Sequence, residues 1–301
     1  MRASSSAMAI RSILDRLPAG FGQPHACSCC YTPPQMDLTI LLVTRDRPVL
    51  LEHSIRSILA SAAAAEPDVL TRILVVDDSD EGSARSVATV LGAMYERNPA
   101  HSARNGLSAA RAWAIPRVQT DLVAMFDDDD LMLVDHIGRL SRHIRDGADI
   151  CSTGFWYADP DPVDFTKLVP RPTPARPRRP RLGDLLAGFQ PVNDGAMMRT
   201  SIAQSVVWDP QREILMMYHV WLQLLFAGHR FVVNESPTFL YRQHAASMSH
   251  NLGPREAALR AKLLAESRAL AVERYGRVPA ASVLVRLKLV RRQLAAALRP
   301  A

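Results

Sequence analysis

At 301 residues, with 48% hydrophobic and 22% charged residues, the chain has the size and balance of a globular protein with one large domain and a substantial core. A formal net charge of +6 favours anionic partners such as nucleotides, phosphates or an acidic membrane surface, without choosing among them. No apolar run reaches the ~20 residues that span a bilayer, and neither a P-loop nor a GxGxxG is present, which argues against a Walker ATPase or a dinucleotide dehydrogenase.

The first 35 residues lack a long apolar core and a clean cleavage site, so they do not read as a signal peptide; a disordered extension is expected. Within it His25, Cys27, Cys29 and Cys30 lie closer together than the two-residue gaps of zinc sites, which points to a reduced segment rather than a metal centre. From Leu38 short apolar runs alternate with longer amphipathic ones, the pattern of a βαβ sheet. LTILLVT (Leu38 to Thr44) reads as a strand buried on both faces, and Pro48 as the first turn of a helix through LLEHSIRSILASAA. RILVVDD (Arg72 to Asp78) gives a second buried strand, followed by a helix from Ser83 to Tyr95 and another from about Ser108. LVAMF (Leu122 to Phe126) is a third strand, running into four aspartates, Asp127 to Asp130.

DHIGRLSRHIR then reads as a helix and ADICSTGFWY as a strand, with Cys151 expected in the core. Prolines and arginines crowd the segment from Asp159 to Arg181, which reads as an irregular loop, either a lid or acceptor-facing segment or simply solvated surface. GAMMRTS suggests a strand, MYHVWLQLLFAG a helix closed by Gly228, and FVVNESPTFLYR two short strands. The tail from Pro254 reads as basic helix, in which Arg286, Lys288, Arg291 and Arg292 interleave with apolar positions; it either lies on an anionic membrane surface or packs on the domain.

Chemistry concentrates at two strand ends: Asp77 and Asp78, then Asp127 to Asp130. Ligands of open α/β sheets bind outside the carboxyl ends of the strands, so both clusters are expected in one crevice. Adjacent carboxylates repel by roughly 1 kcal/mol per pair in water and more at lower dielectric. Such a cluster is either solvated or holds a cation, and hard oxygen ligands suit Mg²⁺ or Mn²⁺ with substrate phosphates completing the shell.

The order LLVTRDRP, LVVDDSD, GLSAARAWAI, FDDDD resembles the family 2 glycosyltransferases. The resemblance implies a GT-A fold, Rossmann-like and α/β, with a mostly parallel sheet flanked by helices. It covers about residues 36–251, which leaves 1–35 as an extension and 252–301 as a C-terminal basic helical extension. It further implies transfer of a sugar from a nucleotide-diphosphate donor of UDP or dTDP type, usually with inversion, to a saccharide or lipid-linked acceptor, as in cell-envelope polysaccharide synthesis. Nucleic acid is not an expected partner, and the expected location is cytoplasmic, either free or, if the basic tail lies on lipid, in peripheral contact with the inner membrane face. By the same resemblance Thr44 and Arg47 line the nucleotide site and Asp78, with Asp77 beside it, accepts a hydrogen bond from the base. Arg111 lies near base or phosphates, Asp128 beside the nucleotide, and Asp127 and Asp129 form the D-x-D cation pair. His244 of the Y-R-x-H-like segment is a further metal or phosphate ligand. Asp128 and Asp130 remain open at this stage, one of them a candidate to face solvent or cap the next helix.

This chain departs from the family pattern in having Asp46 where T-x-N-R has Asn, and Ala112 after the AR pair where Asn is usual. The aspartate general base usual at the head of the MMYHVWLQLLFAG helix is also missing, which leaves His219, Glu213 and Asp194 as candidates. That gap sustains an alternative: a catalytically impaired nucleotide-sugar-binding protein of the same fold. The acids alone would also suit a phosphatase or nuclease, but Thr44, Arg47 and Arg111 in family order argue against it.

Overall fold

The computed structural model describes residues 35–99, 106–158, 170–172, 178–190, 192–210, 212, 215–243 and 253–297. The N-terminal extension with its cysteines, Glu213 and His244 lie outside these residues. The sheet is built around β1 (Met36–Thr44) and β4 (Leu122–Asp127), adjacent and parallel. β2 (Val69–Asp77) flanks β1, and β3 (Met94–Arg97) flanks β2, also in parallel. Beyond β4 the sheet is mixed. β8 (Met197–Arg199) runs antiparallel to β4 and to β6 (Ile150–Ala158), while β9 (Phe231–Arg242) runs parallel to β6 and antiparallel to the short β5 (Leu131–Met132).

Alternation along β1 sends side chains to two cores. Leu38, Ile40 and Leu42 meet Leu51, Ile55 and Ile58 of α1 (Pro48–Ala65), together with Ile137, Leu140 and Ile144 of α4 (His136–Arg145). Leu41 and Val43 face the opposite cluster, which contains Ala110 and Ala114 of α3 (Gly106–Ala114) and Val220, Trp221 and Leu224 of α7 (Met216–Phe226). Cys151 is buried in the first of these cores, as its apolar setting suggests, and burial pushes its thiol well above the usual range.

Three expectations change. The helix expected through Tyr95 is only α2 (Arg85–Val90): Gly92, at φ +74°, turns the chain, and Tyr95 enters β3. FVVNESPTFLYR is one strand rather than two. It stays paired with β6 across a register shift at Gly154, where a Cβ would lie 2.9 Å from the Glu235 carbonyl oxygen. Within the proline-rich loop β7 (Pro170–Pro172) pairs antiparallel with the end of β6, and α5 (Leu182–Leu186) follows the loop directly. After α6 (Thr200–Gln204) and α7, the C-terminal α8 (Gly253–Tyr275) packs through Leu263 and Ala271 into the α3–α7 core, and α9 (Val283–Ala297) follows.

Candidate active site

The carboxyl ends of β1, β2 and β4 present Thr44, Asp77 with Asp78, and Asp127 to Asp130 on one rim of the sheet. The hydrogen-bonding residues that fix this rim come largely from α1. Its buried face carries serines among the apolar residues. Ser54 donates to the Asp127 carbonyl at 3.3 Å, Ser57 Oγ accepts from Met132 N at 2.9 Å, and Ser61 Oγ accepts from Ile137 N at 3.1 Å. The acidic turn and the start of α4 are thus fastened to a helix, which satisfies backbone groups that would otherwise be buried unpaired.

The four aspartates divide their work. Asp128 is buried; its Oδ2 accepts from Thr44 Oγ1 at 2.6 Å and its Oδ1 from Arg47 Nη1 at 3.3 Å. Burial, then repulsion from Asp129, lifts its pKa to about 6 against the pull of Arg47. Arg47 Nη1 also reaches Asp129 Oδ2 at 3.1 Å. The pair expected at the nucleotide therefore ties β1 to the acidic turn. Between them Asp46 takes φ +53°, a conformation in which Asn and Asp are both enriched, so its replacement of the family's Asn preserves the backbone.

Asp127, Asp129 and Asp130 can each offer one carboxylate oxygen, and these atoms lie within 4.8 Å of one another. Asp127 Oδ1 accepts from Arg111 Nη2 at 2.9 Å. Burial first, then repulsion from Asp194, raises the Asp127 pKa to about 7 despite Arg111. Of Asp128 and Asp130, one of which the sequence makes a candidate to face solvent or cap the next helix, neither does so: Asp130 is also buried, its Oδ1 accepts from Arg242 N at 3.0 Å, and its pKa is pushed well up by burial and then by Asp129. The residue preceding the next helix is Asp135. Arg242 also donates through Nε to the Asp129 carbonyl. The fit to a divalent cation is good: three hard oxygen donors converge, and burial first, then mutual repulsion, makes Asp127 and Asp130 hold protons at a pH where free carboxylates would not.

Asp194 completes the group. Its Oδ2 lies 4.0 Å from Arg111 Nη1, so one buried guanidinium bridges Asp127 and Asp194. The Asp194 side chain keeps 33% of its surface open, and its pKa is raised by burial first, with Arg111 opposing and Asp129 adding repulsion. Its turn is fixed on both sides. Asn193 Nδ2 donates to the Thr153 carbonyl at 2.7 Å, and Asn193 Oδ1 accepts from Ser152 Oγ at 2.7 Å. A Cβ on Gly195 would come within 3.2 Å of the Phe239 ring. His219 is held elsewhere, with Nδ1 3.3 Å from Gln223 Nε2; the charges that act on it are Arg212 and Asp209, and burial lowers its pKa.

The β2 acids also differ from one another. Asp77 is enclosed by its own loop, accepting from Ser79 N at 2.9 Å, Ala84 N at 3.0 Å and Tyr95 OH at 3.1 Å. Asp78 accepts from Asn98 Nδ2 at 2.6 Å, and a Cβ on Gly106 would lie 1.7 Å from its Oδ2. The glycine of GLSAAR is thus required by the close approach of α3 to that carboxylate. Asp130, Arg242 and Asn193 were missed as site residues in the sequence. Arg242 has a signal in the sequence, since it stands in the YRQH segment two residues before His244.

The chain matches the family model described as glycosyl transferase family 2 over residues 39–206. No curated protein sequence matches it. Among solved structures it is similar to S. aureus TarS 1–349, with 13% identity and TM-score 0.56 over 77% of this chain and 65% of that one. It is likewise similar to TarS 1–349 in complex with UDP-GlcNAc, with 14% identity and TM-score 0.52 over 77% and 66% of the respective chains. A third similar structure is the mannosyltransferase PcManGT from Pyrobaculum calidifontis in complex with GDP-Man and Mn²⁺, with 14% identity and TM-score 0.53 over 91% and 73%. The chain spans just under two thirds of TarS 1–349 and 39% of a longer TarS chain. These likenesses establish a GT-A fold, and with the family match extending over more than half its length, the chain belongs to glycosyl transferase family 2.

Proposed function

We propose that the protein is an inverting, divalent-cation-dependent glycosyltransferase, with a catalytic domain at about 36–251, that moves a sugar from a nucleotide-diphosphate donor to an acceptor hydroxyl. The observation that carries this reading is the Asp127–Asp129–Asp130 group joined through Arg111 to Asp194. The complexes of fold relatives with UDP-GlcNAc, and with GDP-Man and Mn²⁺, support a nucleotide-sugar donor and a cation.

Asp127, Asp129 and Asp130 would hold Mg²⁺ or Mn²⁺, which when bound neutralises charge on the donor diphosphate. Asp194 is the base: it takes the acceptor hydroxyl proton as that oxygen bonds to the anomeric carbon and the bond from that carbon to the diphosphate oxygen breaks. The raised pKa of Asp194 makes it a stronger base than an exposed carboxylate, while Arg111 opposes the rise. Arg47 and Thr44 hold the acidic turn against β1, and Asp78 stands where a nucleotide base could be read. Asp194 in the cluster supports turnover over the non-catalytic alternative, whose motive was the absent carboxylate on α7. Among the described residues the nearest charges to His219 do not include the cluster acids, so it is not assigned the base role. An Asp129→Ala variant tests the reading. It should lose sugar transfer and donor hydrolysis, and full activity in that variant would sink the mechanism.

A further inference from the structure

The C-terminal helix α9 shows two unlike faces. On one side Val285 is fully buried and Lys288 Nζ lies 4.7 Å above the Phe189 ring. The start of the helix is pinned: Ser282 N donates to Asp184 Oδ1 at 2.6 Å, and the Ala280 carbonyl lies so close to Gly183 that a Cβ there would approach it to 2.3 Å. This anchorage fixes the rotation of α9 about its axis.

At 3.6 residues per turn, Val283, Leu287 and Val290 fall opposite Val285. They are exposed by 63%, 57% and 50% respectively. Arg286 lies along one border of that apolar stripe and Arg291 along the other, both exposed. An apolar strip bordered by arginines is the cross-section of a helix lying in a bilayer interface, where the strip enters the acyl boundary and the guanidiniums reach lipid phosphates. The charge is one-sided over a longer stretch. From Arg274 to the end of the chain the sequence holds Arg277, Arg286, Lys288, Arg291, Arg292 and Arg299 and no acidic residue. A solvated helix face would ordinarily mix signs, whereas a one-signed basic border suits the negative surface of an anionic leaflet. Among the described residues no helix is long and apolar enough to cross a membrane, so the contact is with the surface.

We propose that the outward face of α9 docks the protein on an anionic lipid bilayer, through Val283, Leu287 and Val290 inserted at the interface and Arg286 and Arg291 on the headgroup phosphates. The docking is independent of the catalytic reading. It places the enzyme at a surface by two weak signals together, an apolar stripe and a basic border, each insufficient alone.

Co-sedimentation of the full chain with vesicles tests this. Phosphatidylcholine vesicles containing phosphatidylglycerol should carry the protein down at 0.1 M salt, pure phosphatidylcholine vesicles much less, and high salt should release it. Leu287→Glu with Val290→Glu, and separately Arg286→Glu with Arg291→Glu, should each weaken binding about tenfold or more. Because these side chains point outward, the circular dichroism and melting temperature of both variants should match the parent. Absence of binding to the anionic vesicles, or undiminished binding by the folded variants, overturns the proposal. A dimer that is broken by the Leu287 and Val290 changes, with no vesicle binding, assigns the face to a second copy and also overturns it.

Discussion

One guanidinium links the cation group to Asp194 in the candidate centre: Arg111 is buried and bridges Asp127 and Asp194, opposing the rise in pKa that burial imposes on both. Asp194→Asn keeps the size and hydrogen-bonding reach of the residue but removes its basicity. Turnover should fall about 10²–10⁴-fold, while donor affinity measured by calorimetry stays within about threefold, because the cation ligands and Asp78 are untouched. Asn193 acts one step back from the chemistry. Asn193→Ala would leave the Thr153 carbonyl without its partner, costing about 1–3 kcal/mol in denaturant unfolding. It should also lower kcat more than it changes the donor KM, since the Asp194 turn loses its anchor. At Gly106 a methyl group would collide with Asp78. Gly106→Ala should weaken nucleoside diphosphate binding in a titration while leaving cation binding intact.

The elements show how far the sequence could be read. The apolar runs of β1, β2 and β4 declare a parallel sheet because strands covered on both faces need no alternation, and the acids at their ends follow from chain direction. The serines of α1 are hidden in the sequence: at positions 54, 57 and 61 they share the helix's buried face, and nothing local says that they hold the segment after β4. The same holds for Asp130. Its partner is the backbone of Arg242, more than a hundred residues later in the chain, so only the closed sheet brings them together. The helix where the family usually keeps its base carries no carboxylate; of the three candidates the sequence offers, Asp194 reaches the cluster from the turn before β8, a placement that depends on Asn193 bridging to β6.

One buried imidazole gives the α4 start its own pH signature. His136 is buried, bonded through Nδ1 to Thr238 Oγ1 at 2.6 Å, and burial drops its pKa to about 4. Between that value and its ordinary 6.5 the unfolded chain binds a proton that the folded one does not, so this residue's contribution falls as pH drops, by at most about 3 kcal/mol. The raised acids act in the opposite sense, favouring the folded state as pH falls. The difference between wild type and His136→Asn in urea unfolding at pH 7.5 and pH 5 isolates the imidazole, and the wild type should lose more stability than the variant on acidification.

For the whole molecule, the acid cluster is a destabilising feature that a ligand can relieve. Above about pH 7 Asp127 ionises, and repulsion among the cluster carboxylates then weighs on the folded state. Mn²⁺ should therefore raise the melting temperature, more at pH 8 than at pH 6 because its ligands bind as carboxylates. At a concentration one hundred times Kd the gain is about 2.7 kcal/mol. Asp129→Ala should abolish it. In the sequence the net positive charge is concentrated in the C-terminal tail rather than around the acidic strand ends.

The most direct test of the central claim is nucleoside diphosphate release from a panel of UDP-, dTDP- and GDP-sugars, by wild type and Asp194→Asn, with and without Mn²⁺. The account predicts that wild type turns over at least one donor only when the cation is present, and that Asp194→Asn binds that donor but releases product at least about a hundredfold more slowly. Equal release by the two proteins would contradict it.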